Sequence, residues 1–353
     1  MALAGISSLR RAVPALPVVA ALPVVAALLL GACTSGGNGT DASPTTARPI
    51  ARPTKYQAAV DAAAARNLQV WLEADLAERW LAGRARFDEG VARLADLAAR
   101  PGVAGIKIAD ELAYDDGFGN DPTRVRAFLA DSAAALGKAA PGKKLLADIL
   151  VPELGCAPGA TGVKAKVAGA VCRAKARGRY PALTVEQVDG YLASGHLDVV
   201  NLSTGLLRPS TYKDWGIDRD TAQRLAWAEA RRRGWPSKVR LQYRKALAFP
   251  GRYPGGPATA ESDLRTFVDL PRSEGAPAVD IWTWRQKYKG EIVRLMDPGN
   301  QDNSLWQGLR KRKAGGAALF THFTPSSTEQ GMDTDLDELA KVFAGVYTAA
   351  GIG

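Results

Sequence analysis

Residues 103–111 have the sequence Val-Ala-Gly-Ile-Lys-Ile-Ala-Asp-Glu, a mostly apolar run of strand length that ends in two adjacent carboxylates. Runs of the same kind, bounded by Gly, Pro or Asp, predict six more strands: 68–75, 145–151, 197–203, 239–245, 278–285 and 317–323. Segments with helical periodicity lie around them: 56–66, 87–99, 122–139, 184–193, 219–233, 260–274, 304–313 and 334–349. This alternation predicts parallel strands with helices outside, so we expect a (β/α)8 barrel.

One of the eight strands of such a barrel is not accounted for. The first predicted helix, 56–66, should follow a strand, but the residues before it are rich in Thr, Ser, Gly and Pro and predict a flexible tether. We therefore expect a TIM-barrel-like domain over residues 56–353. Its first strand should be either irregular, near Ala47–Pro53, or missing.

The predicted barrel interior is polar. Side chains of a strand alternate between the interior and the surrounding helices. If the apolar positions face the helices, the interior carries Glu73, Lys107, Asp148, Asn201, Arg244 and His322. A purely structural interior is rich in Val, Ile and Leu, and buried charges are costly unless paired, so this lining predicts a binding or catalytic site. A satisfied network of ion pairs, such as Lys107 with Asp148, is the alternative.

The adjacent carboxylates Asp110 and Glu111, at the end of a predicted strand, are the sharpest local feature. Together with the tryptophans of the predicted interior, they resemble the (β/α)8 glycoside hydrolases, in which an acid at a strand end protonates the leaving oxygen. The resemblance implies that Glu111 is the general acid/base, with Asp110 where many of these enzymes have Asn. It also requires a second carboxylate. The late segment 282–287 contains none, so the candidates are Glu73, Asp75, Asp148 and Glu153.

Other polar and aromatic residues of the strand ends are candidates for binding substrate. Aromatic side chains can stack on sugar rings, and Arg can hold a carboxylate or phosphate. The predicted substrate-binding residues are Asp75, Trp71, Tyr114, Asn201, Arg244, Trp282, Trp284 and His322. Two His and no clustered thiols argue against a zinc site, and we predict neither a metal nor a cofactor.

The N-terminus predicts export. Arg10 and Arg11 precede an apolar run, 12–30, with small residues after it, an order typical of a secretory signal. Its end, Leu30-Gly31-Ala32-Cys33, closely resembles a bacterial lipobox. That resemblance implies a signal peptide over 1–32, lipid on Cys33 and a tether over 33–55. We expect the mature protein to be held by this lipid at the outer surface of the cell membrane.

Cysteine and charge usage agree with an extracellular setting. Cys156 and Cys172 remain once Cys33 is lipidated, and in an oxidising compartment we expect them to pair. The net charge is +10, and the segment between Gly155 and Val185 has six basic residues and no acidic one. This segment is either a basic loop over the barrel mouth, which suits an anionic cell-wall polymer, or a solvated surface loop.

Two functions are consistent with this pattern. The first is a surface-anchored hydrolase of an extracellular glycan. The second is a non-catalytic lipoprotein that binds a glycan or an anionic polymer. In both cases we expect a monomer with no nucleic-acid partner. The separation between Glu111 and a second interior carboxylate distinguishes the two functions.

Overall fold

The computed structural model describes residues 53–114 and 117–351, and residues from Arg52 to Gly353 form one compact unit. Its centre is a barrel of eight parallel strands: β1 Gln69–Glu73, β2 Val103–Ala109, β3 Lys144–Leu150, β4 Val199–Ser203, β5 Arg240–Ala246, β7 Val279–Tyr288, β9 Leu319–Phe323 and β10 Gly345–Ala349. Parallel pairing of β1 with β10 closes the barrel. Two short strands lie outside the barrel: β8 Glu291–Arg294 pairs antiparallel with the last residues of β7, and β6 Phe249–Pro250 pairs antiparallel with β8. The predicted (β/α)8 fold is confirmed.

Helices surround the barrel: α1 Lys55–Ala65, α2 Leu76–Leu81, α3 Arg84–Ala98, α4 Pro122–Ala139, α5 Val163–Arg179, α6 Val185–Ala193, α7 Pro209–Trp215, α8 Arg219–Arg232, α9 Trp235–Lys238, α10 Pro257–Leu264, α11 Leu270–Ser273, α12 Ser304–Ala314 and α13 Met332–Ala340. Short turns of 3-10 helix span Pro152–Cys156 and Pro181–Leu183. The start of α4 shows why these boundaries fall where they do. Asp121 accepts from the backbone N–H of Thr123, and Pro122 occupies the first turn, where its missing N–H costs nothing.

The prediction of an irregular or missing first strand was wrong. The first strand is β1, and the strand that sequence analysis lacked is the last, β10, which was assigned to a helix over 334–349. A Cβ on Gly345 would lie 2.4 Å from the Gln69 carbonyl and 2.5 Å from the Phe320 ring. This close approach explains why the first residue of β10 is glycine. Residues 47–52 of the proposed irregular strand lie outside the described residues.

The basic segment after β3 was predicted to be a loop, and that prediction was also wrong. It forms the helix α5, which packs on the 3-10 turn before it. The predicted disulfide joins Cys156 to Cys172 with a Cα–Cα distance of 5.5 Å. Gly169 lies so close to this turn that a Cβ would be 2.6 Å from the Cys156 carbonyl oxygen. The disulfide and the glycine therefore fix one face of α5 against the barrel mouth.

Among the described residues, no helix is long and apolar enough to cross a membrane. The predicted signal peptide, Cys33 and nearly all of the tether lie outside the described residues, as do Asp115 and Asp116 of the loop after β2.

Candidate active site at the barrel mouth

The bottom layer of the barrel interior is apolar. It consists of Trp71, Leu146, Val199, Ala278, Phe320 and the ring of Tyr347. The Trp71 ring packs directly on Gly105: a Cβ at residue 105 would lie 2.3 Å from the ring, so only glycine fits there. Trp71 is 3% exposed. It therefore belongs to the barrel core and cannot stack on a sugar, contrary to the sequence-based prediction.

Lys107 lies at the centre of the polar layer above. Its side chain is fully buried, and its Nζ lies 2.7 Å from Glu73 Oε1, 2.9 Å from Asp110 Oδ1 and 2.5 Å from Asp148 Oδ2. Burial opposes the ammonium charge, but the three carboxylates outweigh burial and raise the pKa of Lys107 well above its usual value. Because an oxygen of Glu73 and an oxygen of Asp110 both contact the same Nζ, these two carboxylates are close neighbours.

Arg244 closes this layer from the mouth side. Its Nη2 lies 2.7 Å from Asp110, its Nη1 lies 3.2 Å from Glu111, and its Nε lies 3.0 Å from Asp148 and 3.5 Å from Asp280. All three nitrogen groups of the guanidinium are thus engaged by carboxylates of the protein. We predicted that Arg244 binds substrate, but in this arrangement its guanidinium contacts the protein's own carboxylates and holds them in place.

His322 lies between two carboxylates in the same layer. Its Nδ1 is 2.9 Å from Glu73 Oε1, and its Nε2 is 3.1 Å from Asp280 Oδ2. Burial opposes a charge on the imidazole, but Asp280 and Glu73 outweigh it and raise the pKa of His322 to about 9. His322 is therefore an imidazolium at neutral pH and donates to both carboxylates. It positions Glu73 rather than binding substrate itself.

The charges of this layer nearly cancel. Four carboxylates (Glu73, Asp110, Asp148 and Asp280) face three cations (Lys107, Arg244 and His322). The excess carboxylate keeps a proton at neutral pH: burial raises the pKa of Asp148 to about 8 in spite of Arg244 and Lys107. Burial acts on Glu73 in the same direction, but His322 and Lys107 lower its pKa to about 2. The layer thus holds both an ionised carboxylate and a protonated one, as acid/base chemistry requires.

Only part of this network is open to solvent. The side chains of Glu73, Asp110 and Glu111 are 22%, 53% and 39% exposed, whereas Asp148 and Asp280 are buried. Burial raises the pKa of Asp110, but Arg244 and Lys107 outweigh it and hold that pKa well below its usual value. Glu111 has a φ of +50°, a left-handed conformation that is uncommon outside glycine. The three accessible carboxylates come from the ends of the neighbouring strands β1 and β2.

The predicted aromatic residues lie in different environments. Trp282 is half-buried and packs edge-on against Tyr288 at 5.3 Å, so part of its ring is open to solvent. Trp284 is buried outside the barrel, where its Nε1 donates to Asp335 and its ring packs on Trp306. The prediction that Trp284 binds substrate was therefore wrong. The pairing of β7 with β9 changes register between Ile281 and Arg285, which breaks the simple alternation on which that prediction relied.

Two other candidates, Asp75 and Glu153, have structural partners. Asp75 caps α2 by accepting from the backbone N–H of Glu78. Glu153 is buried and accepts from Arg177 and from the backbone N–H of Val185, away from Lys107 and Arg244. Neither is placed to serve as the second catalytic carboxylate.

Tyr114 and Asn201 also have structural partners. Tyr114 stacks on Tyr180 at 4.8 Å. Asn201 is buried, and its amide donates to Asp148 and Asp280. It orients the buried carboxylates, so it cannot contact a substrate at the mouth.

Two residues of the polar layer were missed by sequence analysis. Asp280 is fully buried and shares its strand face with Trp282, so the alternation of β7 contained the information that would have identified it. Tyr347, whose hydroxyl accepts from Asn201, was missed because its strand was taken for a helix.

Asp148, Asp280 and His322 could together offer ligands to a metal ion, since one ligand atom from each lies within 4.8 Å of the others. The donor set, however, is already neutralised. Lys107 and Arg244 contact Asp148, and the imidazolium of His322 contacts Asp280. A divalent cation would have to displace these charges and remove the proton from His322. The arrangement therefore fits an ion-pair network better than a metal centre.

No protein-family model matches the chain, and no curated protein matches it in sequence. Solved structures with a similar barrel include the carboxyl transferase domain of Rhizobium etli pyruvate carboxylase with 3-bromopyruvate (10% identity, TM-score 0.43, 85% of this chain and 45% of that one). A second is a putative phosphonomutase from Burkholderia cenocepacia J2315 (12% identity, TM-score 0.40, 84% of this chain and 93% of that one). A third is D-psicose 3-epimerase from Clostridium cellulolyticum H10 with D-tagatose (12% identity, TM-score 0.42, 80% of this chain and 84% of that one). The chain spans less than half of the carboxyl transferase structure. These likenesses concern the barrel alone and give no substrate.

Proposed function

We propose that the protein is a carbohydrate-active hydrolase of the glycoside hydrolase type, in which Glu111 is the general acid/base. One observation carries the proposal. Glu73 and Glu111 are accessible carboxylates from adjacent strands at one barrel mouth, and the network beneath them keeps Glu73 ionised. Two carboxyl groups with different roles are the minimum requirement for hydrolysis of a glycosidic bond.

The roles follow from the contacts of each carboxylate. Glu73 is held by Lys107 and His322, which makes it the carboxylate that attacks the sugar or activates water. The Glu111 carboxylate lies 3.2 Å from the Arg244 guanidinium, which also approaches Asp110 at 2.7 Å. Glu111 is the more exposed of the two, at 39% against 22% for Glu73, and we assign to it the donation and recovery of the proton. The exposed part of Trp282 supplies a face for a sugar ring.

A non-catalytic glycan-binding protein is the second candidate. The observation that favours it is the contact of both Asp110 and Glu111 with Arg244. If that contact persists when a glycan is bound, the Glu111 carboxylate is occupied by Arg244 and is not available to the leaving oxygen.

Activity on a panel of glycans distinguishes the two candidates. We expect Glu111→Gln and Glu73→Gln each to lower turnover by about 10²-fold or more. Glu291→Gln is the matched control, because Glu291 is an exposed carboxylate on the β8 hairpin beyond the mouth. Equal turnover by wild type and Glu111→Gln would remove Glu111 from the mechanism. Glycan binding by the wild type without turnover would favour the binding protein.

The proposal includes a location, the outer surface of the cell membrane, with lipid on Cys33. The Cys156–Cys172 disulfide supports it, because such bonds persist in oxidising compartments. Radiolabelled palmitate should be incorporated by cells that express the wild type and not by cells that express Cys33→Ser. Equal labelling of both proteins would contradict the anchor.

A further inference from the structure

The outward face of α5 is unusual for a helix on a barrel. Across the described residues, large hydrophobic side chains are exposed at four positions, and three of these are on this one helix. Val163, Val167 and Val171 are 81%, 62% and 52% exposed. Their spacing of four residues places them in one stripe along the helix. Ala170 and Ala174, both exposed, widen the stripe.

Basic side chains lie on both sides of this stripe. At 3.6 residues per turn, Lys164 and Lys175 fall on one flank and Lys166 on the other. None of these three lysines has an acidic partner within 4.0 Å in the described part of the chain, and all three are exposed. Arg177 differs, since Glu153 and Glu186 neutralise it. The outward face is thus an apolar centre between unpaired positive charges.

The opposite face of α5 is fixed to the domain. Ala165 and Gly169 are buried, Cys172 is tied to Cys156, and Arg177 donates to the buried Glu153. The helix follows the carboxyl end of β3, and this mounting leaves the valine stripe on the face turned away from the domain. The stripe is therefore held outward, and the helix cannot turn to bury it.

We infer that this face of α5 docks on an anionic lipid surface, with the valines entering the headgroup layer and the lysines contacting lipid phosphates. Helices that lie on membranes combine an apolar face with Lys and Arg beside it, and each basic residue near an anionic membrane adds attraction. A second copy of α5 would bring like charges together. A soluble anionic polymer would pair with the lysines but leave the valines exposed. A lipid surface satisfies both features.

Sedimentation of the Arg52–Gly353 unit with lipid vesicles tests this inference. This unit is compact and contains the whole barrel, and it lacks Cys33, so the result does not depend on the proposed lipid or on the proposed hydrolase. We expect binding to vesicles that contain phosphatidylglycerol, weaker binding to phosphatidylcholine alone, and a decrease with added salt.

Two sets of variants identify the groups responsible. Lys164→Glu/Lys175→Glu should weaken vesicle binding at least about tenfold, and Val163→Ser/Val167→Ser should weaken it without changing the charge. Lys311→Glu, at an exposed lysine on α12, is the matched control. Circular dichroism checks that each variant is folded.

Three results would overturn the inference. The first is equal binding of the wild type to neutral and anionic vesicles. The second is loss of binding in the lysine variant with full binding in the valine variant, which would indicate a site for soluble polyanions. The third is a wild-type dimer in ultracentrifugation that the valine variant abolishes, which would indicate that a second copy covers the stripe.

Discussion

Replacing Lys107 by Met would test whether the polar layer is a mutually compensated network. Lys107 is fully buried and contacts three carboxylates, of which Asp148 is also buried. The change keeps most of the side-chain volume but removes the ammonium group. The carboxylates of Glu73 and Asp110 then lose a cation at 2.7 Å and 2.9 Å, while Arg244 and His322 remain.

Breaking a buried ion pair by removal of one partner typically costs about 3–5 kcal/mol. For Lys107→Met we expect a cost at the lower end of this range, because Asp148 is already protonated at neutral pH and Glu73 is partly exposed to water. We therefore expect the free energy of unfolding to fall by about 3 kcal/mol at neutral pH. The loss should shrink at lower pH, because protonation of the carboxylates removes the uncompensated charge.

Urea denaturation measures this loss. Lys341→Met is the matched control, because Lys341 pairs with Glu338 at 2.6 Å on the surface, where a pair is worth about 0–1 kcal/mol. The double variant Lys107→Met/Glu73→Gln should recover part of the stability, because Glu73 is the ionised carboxylate that loses its cation. A loss for Lys107→Met no larger than that for Lys341→Met would refute the network.

Three further predictions concern separate parts of the molecule. Because the pKa of His322 is raised to about 9, its stabilisation is complete below about pH 6.5 and is lost as the pH rises through about 9. The difference in unfolding free energy between wild type and His322→Gln should therefore shrink over that range in urea titrations, and a constant difference would be contrary to this. Reduction of the Cys156–Cys172 disulfide should cost about 3 kcal/mol, measured by thermal unfolding with and without dithiothreitol; an unchanged melting temperature would argue against its role. Trp282→Ala should weaken glycan binding about tenfold in calorimetry, and unchanged affinity would place the sugar elsewhere.

The polar interior was predictable from the sequence because strand alternation is a local property. Glu73, Lys107, Asp148 and His322 were all assigned to the interior, and the structure places all four there. Each belongs to a strand with regular alternation near the residue concerned. The predicted pair of Lys107 with Asp148 is present. The additional contact of Lys107 with Glu73 could not be predicted from alternation, because it depends on the register between β1 and β2.

The wrong predictions have physical causes. The last strand, Gly345–Ala349, follows α13 after only four residues, so a continuous apolar pattern hid the change from helix to strand. Helix α5 has its large apolar residues exposed and its small ones buried, which is the reverse of the pattern that identifies a surface helix. Under our docking inference, the exposed valines of α5 are covered by a lipid surface, which accounts for this reversed pattern.

The claim that Glu111 is a general acid can be tested most directly with two substrates of one glycan identified in the panel. The first carries a good leaving group, such as 4-nitrophenolate, and the second carries a sugar as the leaving group. A general acid matters most when the leaving group is poor. We predict that Glu111→Gln lowers kcat/KM by about 10²-fold or more on the second substrate and far less on the first. Equal losses on both substrates, or no loss on either, would contradict the assignment.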